Sequence, residues 1–337
     1  MKKVLRFILK KPILWLANNF SEAPKKEKVF KSLTNLYNHS KKENDKKVKV
    51  LEVDLLTAKY IVFSDQHKGD RSKADDFANN EQNYIAALAY YNKNEFSFIN
   101  LGDSEELWKF TAEKVLPINK LVLEKEAAFH PTRYYKTFGN HDLIWKNQTD
   151  VFLLLRNYFT MPLKIYEGIV LKIKTSLGEL KIFFTHGHQG DTMSDNNSFS
   201  IWCVAHLWLP LQRYLEIKIN TPSKDYSLRN KHNIMMSEWS SNKKSLLLVT
   251  GHTHSPVFAS GKYLTHPSNY IPGTEKTTIK PTYFNTGCCC FDDGDITGIE
   301  IEAGMIRLIK WFTNADLVKE RKILEEIELE KIITDLN

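Results

Sequence analysis

Cysteine is scarce in this 337-residue chain, which has only four. Three are adjacent, at positions 288–290, and the fourth is Cys203, so they cannot form the disulfide network that holds small secreted proteins together. The run also lacks the two-residue spacers of a zinc knuckle. We therefore interpret positions 288–290 as small buried side chains beside a turn, and we expect a reducing, cytoplasmic compartment.

Long apolar stretches are also missing. No run of 18 or more apolar residues occurs, and the most apolar segment, 199–211, is too short to cross a bilayer and contains His206. We therefore expect no membrane-spanning helix. Hydrophobic residues make up 42% of the chain and charged residues 26%, which is close to the average of soluble globular proteins and argues against disorder.

Excess positive charge is absent from most of the chain. The net charge is +7, yet residues 1–49 hold 14 Lys and Arg against 4 Asp and Glu, so the remainder is slightly acidic. An enzyme of nucleic acids is expected to carry basic surface around its active site, so we expect no nucleic-acid partner.

The N-terminal segment, residues 1–49, is basic and amphipathic. Within residues 1–20 the apolar stretch is interrupted by Lys10, Lys11 and Pro12, which argues against a cleaved signal peptide. We predict that this part is retained and that a solvated, Lys-rich connection follows it. A basic amphipathic helix either lies on an anionic membrane surface, here the inner face as a peripheral protein, or packs on its own domain.

From about residue 50 the chain shows alternating strand and helix patterns. Short apolar runs that end in polar clusters indicate buried strands, and a helical pattern at 77–92 lies between the first two of them. The runs lie at 60–64, 96–101 and 134–138. Apolar segments around Gly178 and Gly304 are typical of hairpins. These patterns predict an α/β domain over 50–312, with two sheets and outer helices, and a charge-rich C-terminal helix within 313–337.

What the chain does contain is five loops with metal-type ligands, each directly after a predicted strand. They read Asp-x-His, Gly-Asp, Gly-Asn-His-Asp, His-Gly and Gly-His-x-His. Loops that leave the same strand ends of an α/β protein meet at one edge, so we expect their side chains to converge. The candidate ligands are Asp65, His67, Asp103, Asn140, His186, His252 and His254. A mixture of imidazoles and oxygen donors suits manganese, iron or zinc better than calcium.

In this order the motifs, from Asp65 to His254, resemble the signature of the calcineurin-like metallophosphoesterases. The resemblance implies an αββα sandwich of two mixed sheets with outer helices. It also implies two divalent metal ions, with manganese favoured over iron, zinc and magnesium, and with Asp103 bridging them. The other six ligands divide into two sets of three, namely Asp65, His67 and His254 for one ion and Asn140, His186 and His252 for the other.

The resemblance also implies the chemistry. A hydroxide held between the two ions would attack the phosphorus of a phosphoester or pyrophosphate. In the family the histidine that matches His141 faces the scissile phosphate, where it stabilises charge or protonates the leaving oxygen. We interpret Asp142 either as the carboxylate that orients His141 or as the N-cap of a following helix. His188 is expected on the surface or behind the ligands, and His232 matches no motif.

Two features narrow the substrate. Residues 102–108, Gly-Asp-Ser-Glu-Glu-Leu-Trp, are similar to the Gly-Asp-x-x-Glu/Asp-x-Trp form of bacterial UDP-2,3-diacylglucosamine pyrophosphatases. The stretch 192–242 contains an apolar helical pattern at 199–219, which is either a helical cap over the active site, as in those pyrophosphatases, or part of the core. Candidate substrate-binding residues are therefore Glu106 and Trp108, which otherwise merely begin a helix, and Lys224, Arg229 and Lys231.

These observations predict a dinuclear metal-dependent phosphoesterase. The expected substrate is a phosphorylated small molecule or lipid, such as UDP-2,3-diacylglucosamine, met at the cytoplasmic face of a membrane. The alternatives are a soluble nucleotide phosphodiesterase or phosphatase, and a non-catalytic protein-binding scaffold of the same fold. Scaffold relatives typically lose metal ligands, whereas every motif position is present here.

Overall fold

The computed structural model of the protein describes residues 25–190, 226–261 and 281–336. The helix predicted within residues 1–20, the cap helix predicted at 199–219, and Lys224 all lie outside the described residues. None of the described helices has the length and apolar character that crossing a bilayer requires.

Twelve strands and seven α-helices make up the described part of the chain. The strands are β1 (Val48–Asp54), β2 (Lys59–Phe63), β3 (Ser97–Leu101), β4 (Tyr134–Thr137), β5 (Ile165–Tyr166), β6 (Gly168–Thr175), β7 (Gly178–Thr185), β8 (Leu246–Thr250), β9 (Tyr283–Asn285), β10 (Ile296–Glu302), β11 (Met305–Thr313) and β12 (Lys319–Glu328). The helices are α1 (Lys26–His39), α2 (Glu81–Lys93), α3 (Ala112–Ile118), α4 (Lys120–Ala127), α5 (Gln148–Leu155), α6 (Tyr226–Ser241) and α7 (Leu329–Leu336), and a 3₁₀ helix covers Leu143–Lys146.

The strands form two mixed sheets. A five-stranded sheet has the order β1-β6-β7-β8-β9, and a seven-stranded sheet has the order β12-β11-β10-β2-β3-β4-β5. Strands β2 to β5 are parallel, as are β7, β8 and β9, whereas β10, β11 and β12 pair antiparallel. The predicted hairpins around Gly178 and Gly304 are β6–β7 and β10–β11.

The two sheets pack face to face, because alternate residues of each strand point to opposite sides. On β2, Tyr60 and Val62 join the cluster between the sheets, whereas Ile61 and Phe63 face the cluster that contains α2 to α5. A third cluster joins the outer face of the five-stranded sheet to α1 and α6. Helices therefore cover both outer faces, and the predicted αββα layering is confirmed.

The predicted solvated connection before residue 50 is wrong over residues 26–39, which form helix α1. Its buried residues, Val29, Leu33 and Leu36, recur at helical spacing and are at most 4% exposed. They contact the third cluster, whereas the lysines of this segment occupy the exposed face. The lysine-rich composition obscured this apolar stripe, which has only three buried positions.

The predicted C-terminal helix is also wrong over most of its length. Residues Lys319–Glu328 form strand β12, which pairs with β11 along the edge of the larger sheet, and only Leu329–Leu336 are helical. Charged side chains are common on edge strands, where they discourage pairing with other molecules. On β12, Arg321 reaches the buried carboxylate of Glu300 on β10, with 2.8 Å between Nε and Oε2. The domain thus extends past both of the predicted boundaries.

Candidate dinuclear metal centre

The five motif loops leave the carboxyl ends of parallel strands at one edge of the sandwich. In the larger sheet Asp65, Asp103 and Asn140 follow β2, β3 and β4. In the smaller sheet His186 and His252 follow β7 and β8. Neighbouring parallel strands end at the same side, so the two sheets bring their loops toward each other.

The backbone at these loops is strained. Asp65, His67, Asp103, His252 and His254 have φ angles of 54°, 51°, 51°, 68° and 52°. Non-glycine residues seldom adopt this left-handed conformation, which costs about 1–3 kcal/mol at each position. Strain of this kind persists where the surroundings over-determine it, and it clusters at functional sites.

Two motif glycines are required because a carboxylate of a candidate ligand lies against each of them. A Cβ atom at Gly139 would overlap Oδ1 of Asp103, and a Cβ atom at Gly251 would overlap Oδ2 of Asp65. Any larger residue would therefore push its loop away from the carboxylate. The glycines in Gly-Asn-His-Asp and Gly-His-x-His are explained by this steric limit.

The first group of candidate ligands is Asp65, His67 and His254. His254 Nε2 lies 3.2 Å from Asp65 Oδ1 and 3.1 Å from His67 Nε2, and His67 Nε2 lies 3.8 Å from the same Asp65 oxygen. Two imidazole nitrogens and a carboxylate oxygen therefore converge on one small volume. This is a donor set that a divalent transition-metal ion accepts.

The second group is Asn140, His186 and His252, beside the carboxylate of Asp103. His186 Nε2 lies 3.1 Å from Asp103 Oδ2, and His67 Nε2 of the first group lies 3.8 Å from that oxygen. Asp103 is therefore placed between the two groups. The ligand atoms of Asp103, His186 and His252 all lie within 4.8 Å of one another.

Three ligand atoms of the second group test whether these residues fit a metal. Asn140 Oδ1, His186 Nε2 and His252 Nε2 are buried and form no hydrogen bond, although His186 Nε2 keeps its ion-pair contact of 3.1 Å with Asp103 Oδ2. Leaving a buried polar atom unpaired costs about 1–3 kcal/mol. The other nitrogen of His186, Nδ1, lies 3.0 Å from the Leu101 carbonyl, a contact that leaves Nε2 free to bind an ion. The residues present therefore fit a second ion.

Electrostatics support the same conclusion. Burial by itself raises the pKa of a carboxyl, but the neighbouring imidazoles hold the pKa values of Asp65 and Asp103 well below their usual range. Burial disfavours charged imidazoles, yet these carboxylates raise the pKa values of His186 and His254 to about 9. Without metal the site therefore retains protons, which an entering cation must displace.

His141 is held by residues other than the one expected. Its Nδ1 lies 2.9 Å from Oε1 of Glu106, and its ring stacks on Trp108 with 4.1 Å between the centroids. The second oxygen of Glu106 lies 3.3 Å from Nδ1 of His67. Burial alone raises the pKa of Glu106, but His141 and His67 hold it well below its usual range, so the carboxylate stays charged.

The predicted role of Asp142 is therefore wrong. Its carboxylate accepts hydrogen bonds from the backbone N–H groups of Gly139, Ser104 and Asp103, at 2.6, 2.9 and 3.3 Å. It does not cap the 3₁₀ helix that follows. Asp142 instead ties the Gly-Asn-His-Asp loop to the Gly-Asp loop. Burial raises the pKa of Asp142 to about 6, against the charge of Lys136, which lowers it.

Of the four candidate substrate-binding residues that the structure describes, two lie beside the candidate ligands and two lie on α6. Glu106 is buried against His67 and His141, and Trp108 is half-buried against His141. Arg229 and Lys231 lie near the beginning of α6, half-buried and exposed respectively. The structure thus brings Glu106 and Trp108 to the site.

Two further histidines line the second group of ligands. His188, expected on the surface or behind the ligands, is buried with its ring 5.4 Å from that of His186. His232, which matched no motif, is buried on α6 with its ring 5.3 Å from that of His252. Burial lowers the pKa of His188 to about 3 and that of His232 to about 4. No sequence signal pointed to His232, because only the packing of α6 brings it here.

The cysteine run also borders the site. Cys288 and Cys289 are buried, as the packing interpretation expects. Cys290 is half-buried, and its Sγ lies 3.6 Å from Nδ1 of His254. The sulfur of Cys290 and the ligand atoms of His67 and His254 lie within 4.8 Å of one another.

Comparison with known proteins identifies the family. The chain is similar to Vps29 from Cryptosporidium parvum (13% identity over 81% of this chain and 99% of that chain, TM-score 0.35) and to Vps29 from Entamoeba histolytica (14%, 79% and 99%, TM-score 0.32). It is also similar to a 5'-nucleotidase precursor from Thermus thermophilus (13%, 83% and 58%, TM-score 0.27). A search of curated proteins gives no match. The calcineurin-like phosphoesterase model matches residues 58–256, more than half of the chain and all five motif loops, and the chain therefore belongs to the calcineurin-like phosphoesterase family.

Proposed function

We propose that this chain is a metal-dependent phosphoesterase and that the candidate metal centre is its active site. The observation that carries the proposal is the set of three buried ligand atoms on Asn140, His186 and His252 that form no hydrogen bond, around the carboxylate of Asp103. Asp103 would bridge two divalent ions. The remaining ligands would be Asp65, His67 and His254 for one ion and Asn140, His186 and His252 for the other.

The ions supply the electrophilic part of the chemistry. When bound, two divalent ions polarise the phosphoryl oxygens and lower the pKa of a water molecule toward neutrality. We propose manganese, with iron, zinc or magnesium as alternatives, because the donors are imidazole nitrogens and oxygens.

His141 is the proposed proton donor to the leaving oxygen. Glu106 accepts a hydrogen bond from Nδ1 of its ring, which leaves Nε2 to exchange a proton with the substrate. Stacking on Trp108 restricts rotation of the same ring. The His141 backbone N–H donates to Asp103 Oδ1 at 2.7 Å, so the donor loop is tied directly to the bridging carboxylate.

A scaffold role remains the alternative of a different class. Relatives that bind proteins without catalysis need no complete set of ligands. Here all seven donor positions are occupied by ligand-type residues, and five of them keep a strained backbone. We therefore favour catalysis over a scaffold role.

For the substrate we propose a lipid-linked or nucleotide-linked phosphoester or pyrophosphate. The similarity of residues 102–108 to the UDP-2,3-diacylglucosamine pyrophosphatases supports this, as does the basic N-terminal segment. Exposed apolar side chains that follow the Gly-Asn-His-Asp loop in the sequence add support. Ile144 is 39% exposed, and Phe152 and Leu153 on α5 are about half exposed. Such a surface suits acyl chains better than a free nucleotide.

One panel of assays tests the proposal. Metal-free protein, prepared with a chelator, is reconstituted with manganese, zinc or magnesium and offered a nitrophenyl phosphodiester, 5'-nucleotides and detergent-dispersed UDP-2,3-diacylglucosamine. We expect metal-dependent turnover of the diester and preferential turnover of the lipid. Turnover of free nucleotides alone would favour the soluble phosphodiesterase. The absence of both turnover and metal binding under every condition would favour the scaffold.

A further inference from the structure

Cys290 occupies a defined position beside the first group of ligands. The run 288–290 follows β9 and a turn at Gly287, where φ is 76°. The backbone N–H of Cys289 donates to the carbonyl of Asp65 at 3.2 Å, which ties the run to the loop that carries the first ligand. The Cys290 sulfur then lies 3.6 Å from Nδ1 of His254.

The two nitrogens of His254 have different surroundings. Its Nε2 faces Asp65 Oδ1 at 3.2 Å and His67 Nε2 at 3.1 Å, which is the side where an ion would bind. A ligating nitrogen must be unprotonated, so the ring proton of a metal-bound His254 resides on Nδ1. That N–H points to the sulfur of Cys290.

Metal-binding imidazoles almost always donate their second N–H to a carboxylate, a carbonyl or water. His186 follows this rule, because its Nδ1 meets the Leu101 carbonyl at 3.0 Å. For His67 the nearest group is Glu106, whose Oε2 lies at an ion-pair distance of 3.3 Å from Nδ1 without forming a hydrogen bond. For His254 the corresponding acceptor is a sulfur atom. The thiol of Cys288 also contacts His254.

We propose that Cys290 is the positioning residue of His254, whose Nδ1–H it accepts so that Nε2 is directed at the first metal ion. The inference rests on the proposed function, because it requires His254 to be a ligand. The sulfur is not itself assigned as a ligand, because its 3.6 Å contact is with Nδ1 of His254, whereas the ion would bind at Nε2 of the same ring. Loss of such a contact typically weakens metal binding by about 10- to 100-fold.

Metal affinity in full-length variants tests this inference without reference to turnover. Metal-free wild type, C290A, C290S and the control C289A are titrated with cobalt(II) against a competing chelator, after circular dichroism has verified folding. We expect C290A to weaken one of the two binding steps by about 10- to 100-fold. C290S should recover most of the affinity, because a hydroxyl oxygen accepts the same N–H, and C289A should match the wild type.

Absorption of the cobalt form separates positioning from ligation. A positioning thiol gives no thiolate-to-cobalt charge-transfer band, so we expect none in the wild type. A strong band that disappears in C290A would overturn the inference in favour of a ligand role. Equal affinity of C290A and wild type, or C290S as weak as C290A, would also overturn it while leaving the proposed function intact. Failure of the wild type to bind any cobalt would instead overturn the proposed function together with this inference.

Discussion

Replacing Glu106 with glutamine tests how the proposed proton donor is held. The buried carboxylate contacts two imidazoles, with Oε1 at 2.9 Å from Nδ1 of His141 and Oε2 at 3.3 Å from Nδ1 of His67. Lys109 Nζ lies 3.2 Å from Oε2. Glutamine has the same size but no charge, and its amide offers only one acceptor oxygen, so one of the two imidazoles loses its partner.

The expected loss follows from the strength of that contact. A hydrogen bond to a charged group contributes about 1.5–3 kcal/mol, and each 1.4 kcal/mol corresponds to about tenfold in rate. We therefore expect E106Q to lower kcat by about 10- to 100-fold at saturating metal. Elemental analysis should still find two ions per chain, because Glu106 contacts the ligand His67 but is not itself a ligand.

Esters with different leaving groups show whether the lower kcat of E106Q results from impaired proton transfer. A nitrophenolate leaves without protonation, whereas an alkoxide needs a proton, so E106Q should impair an alkyl diester much more than a nitrophenyl diester. In the H141A background, E106Q should cost little more, because residues that act together are not additive. Equal losses for both esters, or effects of E106Q and H141A that simply multiply, would refute the reasoning.

Three further predictions concern the metals and the N-terminal segment. Asp103→Asn should lower kcat by at least about 100-fold and reduce the metal content measured by elemental analysis, because an amide lacks the charge that bridges two cations; an active variant with two ions would contradict this. The raised pKa values of His186 and His254, about 9 against 6.5, stabilise the metal-free fold below pH 6.5, and this stability is lost as the pH rises through 9. Metal affinity should therefore rise between pH 6.5 and 9, and calorimetry in two buffers should detect proton release on binding, whereas pH-independent affinity would argue against protonated imidazoles. Deletion of residues 1–20 should abolish sedimentation with anionic vesicles and leave turnover of a soluble diester unchanged, because each basic residue near such a surface contributes about 1 kcal/mol to binding. If the intact protein binds no vesicles and truncation lowers its thermal stability, the segment is instead a helix packed on the domain.

The candidate metal centre was accessible from sequence because the information for it is local. A short apolar run followed at once by Asp65, Asp103 or Asn140 indicates a strand with a donor at its end, and parallel pairing brings such ends together without any knowledge of side-chain contacts. The order of the five motifs then sufficed to recognise the family.

The two misassigned segments share a physical cause. Residues 26–39 and 319–328 are rich in charge, and charge composition describes only the solvent-exposed side of an element. Whether the other side is a helix stripe or one row of an edge strand depends on the partner. Strand β12 takes its backbone hydrogen bonds from β11, a partner that its own sequence does not specify.

The sequence alone determined the layered α/β fold and nominated the candidate donor residues, because both follow from hydrophobic periodicity and from short motifs. Only the tertiary structure decided which side chain forms a hydrogen bond with which neighbour. Asp142 is adjacent to His141 in sequence yet binds three backbone amides, while Glu106, 35 positions away, contacts the imidazole. Cys290 reaches His254 in the same way. Hydrogen bonds depend on distance and direction in space, and chain turns between strands set both in ways that sequence separation does not encode.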